Sequence, residues 1–116
     1  MNISPYVIPA IKEAELKDKL HKNYLSSHII ETVCDYYQMP WEKINIVHRY
    51  MEMRTPRQII MYLCCMHTTL PLKAIGKLFK KGYHHSTVLH SREKVKDLMA
   101  VDPNFKRDVI IITHRL

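Results

Sequence analysis

Only two glycines, Gly76 and Gly82, occur in 116 residues. Sandwiches and barrels need frequent tight turns, many with positive φ that glycine supplies, so this scarcity argues against an all-β fold. Prolines punctuate the chain instead, and apolar residues recur between them at helical spacing. The length suits a single domain with one modest core. With 47% hydrophobic and 25% charged residues, wholesale disorder is not expected.

Residues 1 to about 9, with Pro5 and Pro9, read as an irregular lead-in. Ala10 to about His21 is a charged helical stretch whose few apolar contacts are Ile11, Leu16 and Leu20, so residues 1–25 are expected to be an extension with a linker helix. A domain over 26–116 follows. Ser26 or Ser27 can cap its first helix, in which Ile29, Ile30, Val33 and Tyr37 share a face. Pro40 opens a short turn from Trp41 to about Ile46.

The strongest local signal is Thr55-Pro56-Arg57-Gln58, a capping box with proline at the first helical position. Ile59, Ile60, Leu63 and His67 or Met66 continue its apolar stripe. Pro71 introduces a helix over 71–81 with Leu72, Ile75 and Phe79 inward, and Gly82 is placed to end it in the left-handed region. A long helix over 85–99 carries Val88, Ser91, Val95 and Leu98 on one side. Asp102-Pro103 ends that helix and caps a last one, with Phe105, Val109 and Ile112 inward; Val109 to Thr113 is also good strand sequence. The pattern is all-α, with six or seven helices.

Positive charge is concentrated in one third of the chain. From Met53 through Arg92 there is no Asp or Glu, while Arg54, Arg57, Lys73, Lys77, Lys80, Lys81 and Arg92 fall there. The remaining eleven Lys and Arg balance all eleven Asp and Glu, so this window holds the net charge of +7. His67, His84, His85 and His90 add to it below pH ~6.5. A surface free of carboxylates suits a polyanionic partner.

Inside this window, a short helix, a glycine-containing turn and a longer helix make the outline of a helix-turn-helix, which sets the start of its second helix into the major groove. Here that start is His84-His85-Ser86-Thr87, whose groups can hydrogen-bond a base edge or touch a thymine methyl. Thr87, His90 and Lys94 follow at i, i+3, i+7, a polar stripe able to track a phosphate backbone.

Pro56-Arg57-Gln58, Leu72-Lys73-Ala74-Ile75-Gly76, Phe79 and above all His85-Ser86-Thr87-Val88-Leu89-His90 resemble the C-terminal DNA-binding domain of the bacterial chromosomal replication initiator DnaA. That family's signature runs Gly-Arg-Asp-His-Ser/Thr-Thr-Val-x-His after an Ile-Gly-x-x-Phe, and the resemblance spans about Ser26 to Leu98. It implies a small multi-helix, Trp-repressor-like domain that binds double-stranded DNA at a specific sequence, in replication initiation or its regulation. By position, it implies base reading by His84, His85, Ser86 and Thr87 in the major groove and by Arg49 in the minor groove. It likewise implies phosphate contacts from Arg54, Arg57, His90 and Lys94, and Lys73, Lys80 and Lys81 of the acid-free window are further candidates for phosphate contacts. Two departures stand out. His84 occupies the place of the family's Asp, so that a group able to donate to a purine replaces one that accepts from cytosine. The segment Lys80-Lys81-Gly82-Tyr83 is also one residue longer than the family's turn. The loop Val47–Met53 carries fewer arginines than is usual, which implies weaker minor-groove readout.

Other functions find less support. A Walker loop needs Gly-x-x-x-x-Gly-Lys-Ser/Thr, and two glycines cannot build a nucleotide cradle, so neither ATP hydrolysis nor any cofactor is expected. Eight histidines and three cysteines raise a metal site, but no pair has zinc-finger spacing and there is no His-Glu-x-x-His. Cys34, Cys64 and Cys65 cannot all pair, which fits a reduced, cytoplasmic setting. The run Gln58–Leu72 is too short and polar to span a bilayer, and no signal peptide is visible. Alternatives are a helix-turn-helix regulator of transcription at another site, or a protein-interaction module using Tyr36, Tyr37, Met39 and Trp41. The charged N-terminal helix is a candidate for weak self-association or for docking a replication protein.

Overall fold

The computed structural model describes residues 24–45 and 51–116. The expected lead-in, the linker helix over 10–21 and Arg49 with most of its loop lie outside the described residues, as do the side chains of residues 51–54, Arg54 among them. Among the described residues there are six helices and no strand: α1 (Ser26–Tyr37), α2 (Trp41–Asn45), α3 (Met51–His67), α4 (Leu72–Gly76), α5 (His85–Val101) and α6 (Pro103–Arg115). The strand-prone run at the end of the chain is helical.

Helix α3 is the spine. It buries Ile59, Ile60, Met61, Leu63, Cys64 and His67, and its most extensive contact is with α5. Val88, Ser91 and Val95 of α5 meet it at i, i+3, i+7, while α1 closes the other side with Ile29 and Val33. Helix α6 lies on α5 and α1 through Val109 and Ile112. At the end of the α3 stripe the buried side chain is His67, whereas Met66 is exposed.

Asp102 serves two helices. Its N–H donates to the Leu98 carbonyl at the end of α5, and its carboxylate accepts from the N–H groups of Asn104 and Phe105 at the start of α6, at 3.0 and 3.2 Å. Pro103 then fills a position whose N–H has no intrahelical partner. Tyr36 ties α6 to α1, its hydroxyl donating to Asp108 Oδ1 at 2.6 Å.

Three expectations about helix ends are corrected. Neither Ser26 nor Ser27 caps α1: the Leu25 carbonyl accepts from His28 and Ile29, which places both serines inside the first turn. Helix α3 does not start at Thr55-Pro56; it is already helical at Met51, with Pro56 inside it and buried. A proline there removes one backbone hydrogen bond near a helix start, a loss that burial of Pro56 and Arg57 against the core can offset. The helix expected over 71–81 is a single turn, Leu72–Gly76, followed by tight i to i−3 bonds from Lys77 and Leu78. Phe79 is buried nonetheless, because that turn still aims it inward against Trp41, ring centres 5.4 Å apart.

Candidate nucleic-acid interface

The helix-turn-helix outline is built on α4, the turn 77–84 and α5. The turn closes where the Tyr83 N–H donates to the Gly76 carbonyl at 2.9 Å. The chain passes so near that a Cβ on Gly76 would lie 1.9 Å from the Tyr83 carbonyl oxygen, a space only glycine leaves open. Gly82 supplies the left-handed residue, φ +73°, at the end of the turn rather than of a helix. Asn45 at the end of α2 pins the turn from the side, its Oδ1 accepting from the Lys80 N–H at 2.5 Å. Phe79 and Tyr83 stack edge to face, with Lys81 Nζ 5.7 Å from the Tyr83 ring centre.

These fixings set the start of α5 at the surface. His84, His85 and Thr87 are exposed and Ser86 is half-buried. His84 is the N-cap: its Nδ1 lies 3.2 Å from the Ser86 nitrogen and 2.7 Å from Ser86 Oγ. Its ring lies against that of His85, with centres 4.0 Å apart. Capping by His84 was not readable from the sequence, because histidine is outside the usual set of Ser, Thr, Asp and Asn.

Further along α5, Thr87, His90 and Lys94 line one open groove of about 500 Å³, the stripe expected from their spacing, together with Gln58 of α3 and Ser91. Gln58, read from the sequence as part of a capping box, instead faces this groove. Glu93 and Asp97 also line it. Glu93 pairs with Lys96 and Arg92 at 3.6 and 3.5 Å, so the acid-free surface ends about halfway along α5.

Of the cations expected at the surface, Lys73, Lys80 and Lys81 are exposed on α4 and the turn, and Lys94 is exposed on α5. Arg57 is the exception. It is 7% exposed, and its Nη1 donates to the Ile44 carbonyl at 3.3 Å, bracing α2 against α3. Its expected backbone contact would have to be made from a small cleft that it lines with Gln58, Met61, Tyr83, Thr87 and Ser91. The signal that could have placed it is periodicity, since Arg57, Ile60, Cys64 and His67 fall at i, i+3, i+7, i+10 on the buried face.

The thiols lie away from this surface chemistry. Burial pushes Cys64 up to about 12, and it raises Cys65 too, against the pull of Arg92 and Lys96. Among the described residues, no three His, Cys, Asp or Glu side chains come together in a way that could hold a metal ion, and no helix is long and apolar enough to cross a membrane.

Comparison with known proteins points one way. A family model described as the bacterial DnaA protein helix-turn-helix matches residues 26–95. The chromosomal replication initiator protein DnaA of Nitrosomonas eutropha is 35% identical over 115 residues, covering 97% of this chain and 25% of the relative. The protein of the same name from Azoarcus sp. is 36% identical over 108 residues, covering 90% of this chain and 22% of the relative. That from Enterococcus faecalis is 37% identical over 102 residues, covering 87% and 23%. The chain thus spans about a quarter of the length of these relatives.

Proposed function

The chain belongs to the bacterial DnaA helix-turn-helix family, and from that membership we propose that residues 26–116 form a domain that binds double-stranded DNA at a specific short, asymmetric site. The start of α5 enters the major groove with His85, Ser86 and Thr87 toward the bases and His84 beside them. His90 and Lys94 lie along one phosphate strand, and Lys73, Lys80 and Lys81 along its surroundings. Arg49 and Arg54 are assigned by the resemblance to the minor groove and the adjoining backbone. The proposed process is replication initiation or its regulation, since the relatives carry the name of the replication initiator.

One observation carries this reading. His84, His85 and Thr87 are exposed at the start of α5, Thr87 shares a groove with His90 and Lys94 that Glu93 and Asp97 also line, and the exposed Lys73, Lys80 and Lys81 belong to a stretch of sequence without a carboxylate. Such a face has base-reading groups at its centre and positive charge around them. It has no role in burying the core.

Selection from randomised duplexes at a stated salt concentration tests the proposal. A single enriched motif is expected, with affinity falling steeply as salt rises. With roughly five phosphate contacts, the slope of log K against log salt should be about −4 to −5. A flat salt response together with no enriched motif would overturn it.

A further inference from the structure

The geometry at the start of α5 assigns His84 a fixed protonation pattern, and we propose that it serves as a donor-only reader that demands an acceptor on the base it meets. The inference rests on the DNA-binding reading above. It goes beyond it in naming the proton that discriminates and the bases it selects.

The first-turn N–H groups of a helix have no partner inside it. Thr87 and Val88 donate to the His84 carbonyl, at 2.9 and 3.3 Å, which leaves the Ser86 N–H to the His84 ring at Nδ1, 3.2 Å away. A backbone N–H can only donate. Nδ1 then presents its lone pair to that amide, and Ser86 Oγ lies 2.7 Å from the same nitrogen. The opposite tautomer would turn the Nδ1 proton toward Ser86 Oγ but set it against the Ser86 amide proton, which would then have only solvent as its acceptor. A neutral imidazole carries one proton, so it resides on Nε2.

Nε2 lies across the ring from the capped nitrogen and therefore faces away from the helix backbone. The ring itself is held by the cap on one side and by the His85 ring, 4.0 Å off, on the other. What His84 offers outward is one N–H donor, with no acceptor alongside. In the major groove, guanine presents N7 and O6, adenine presents N7 and thymine O4, whereas the outward group of cytosine is an amine donor. Two donors facing each other leave both unpaired. His84 therefore favours a base that presents an acceptor, guanine foremost with its two, and rejects cytosine at the position it meets.

Two measurements test this. Isotope-resolved nitrogen NMR of the folded chain at about pH 7.5 reads the tautomer without DNA, in a range where an ordinary imidazole is neutral. An unprotonated Nδ1 and a protonated Nε2 are expected for His84, and the reverse pattern would overturn the proposal. The second is duplex selection with the wild-type chain and His84→Asp. Aspartate is a strong N-cap, so helix content and melting temperature should hold, while the outward group becomes acceptor-only. One position of the selected site should change from an acceptor-presenting base to cytosine, with a preference of about tenfold. An identical motif for both proteins would refute the role of His84 and leave DNA reading intact. Failure of both proteins to enrich any motif would instead remove the DNA-reading premise, and His84's part with it.

Discussion

Gly76→Ala sets two physical effects of opposite sign against each other. Gly76 is the last residue of α4 with ordinary helical geometry, so alanine there should gain about 1 kcal/mol of helix propensity. Against this stands the 1.9 Å approach of the new Cβ to the Tyr83 carbonyl oxygen. A carbon and an oxygen need more than an ångström beyond that, and the obstacle is backbone, which no rotamer change can move. The Tyr83-to-Gly76 hydrogen bond, 2.9 Å long, is the part of the turn that must open. Losing it costs about 1 kcal/mol, and the overpacking costs roughly 1–3 kcal/mol more. The net is a destabilisation of about 1–3 kcal/mol, or a fall of roughly 5–20 °C in melting temperature for a domain of this size. Thermal unfolding followed by circular dichroism measures it. Gly82→Ala is the control: nothing lies within 4 Å of its Cβ, so only the left-handed φ of +73° opposes the change, at about 1–2 kcal/mol. An unchanged or raised melting temperature for Gly76→Ala would show that the turn is loose enough to yield, and the close approach would then not define the motif.

Three further outcomes follow from the geometry. Lys94→Ala should weaken binding to all duplexes alike and reduce the salt slope by about one, whereas Thr87→Ala or His85→Ala should flatten discrimination between sites by about 1–3 kcal/mol; the opposite pattern in competition binding would reverse these roles. Asp102→Ala removes the acceptor for the Asn104 and Phe105 N–H groups and should cost about 1 kcal/mol, seen as a lower urea midpoint with an unchanged slope. The Tyr36 hydroxyl is raised to about 12 by burial and by its hydrogen bond to Asp108, so the folded state holds this proton more tightly than the unfolded chain does. Its contribution to stability is complete below about pH 10 and is lost as pH rises toward 12, which urea titrations across that interval should record; ionisation of every tyrosine in the folded chain near pH 10 would contradict it.

What the sequence conveyed well was periodic or chemically obligatory. Val88, Ser91 and Val95 repeat at the helical period and are buried, and so do Ile29 and Val33. Asp102-Pro103 has few other uses than to end one helix and begin the next, and Gly82 does adopt a positive φ. What it concealed depended on contacts distant in the chain. Thr55-Pro56-Arg57-Gln58 has every local mark of a helix start, but a cap is worth about 1 kcal/mol and packing can outweigh it. Arg57 illustrates the same point: its charge suggested the surface, while its place on the apolar stripe decided its burial. Phe79 kept its inward direction though the helix proposed to carry it did not exist, because a spacing of seven residues is compatible with more than one backbone path. His84 was placed at the start of the second helix by the helix-turn-helix outline, and its use as a cap emerged only when Ser86 was seen beside it.

Rigidity of the turn links these local details to recognition. A side chain that reads a base must arrive already positioned, since every rotatable group immobilised on binding weakens association. Around the start of α5, the Gly76–Tyr83 closure fixes the angle between α4 and α5, Asn45 holds the turn to α2, and Phe79 wedges between Trp41 and Tyr83. Arg57 completes the frame from beneath by joining α3 to the Ile44 carbonyl of α2. None of these groups needs to touch a partner. They explain why a buried arginine and a glycine with no side chain belong to the same device as the exposed histidines. The groove-facing carboxylates Glu93 and Asp97 mark its limit, because a phosphate strand drawn in by Lys94 meets like charge immediately beyond it. On the proposed reading, the DNA-facing surface is confined to the first two to three turns of α5, whose opposite side, Val88, Ser91 and Val95, is the one buried against the core.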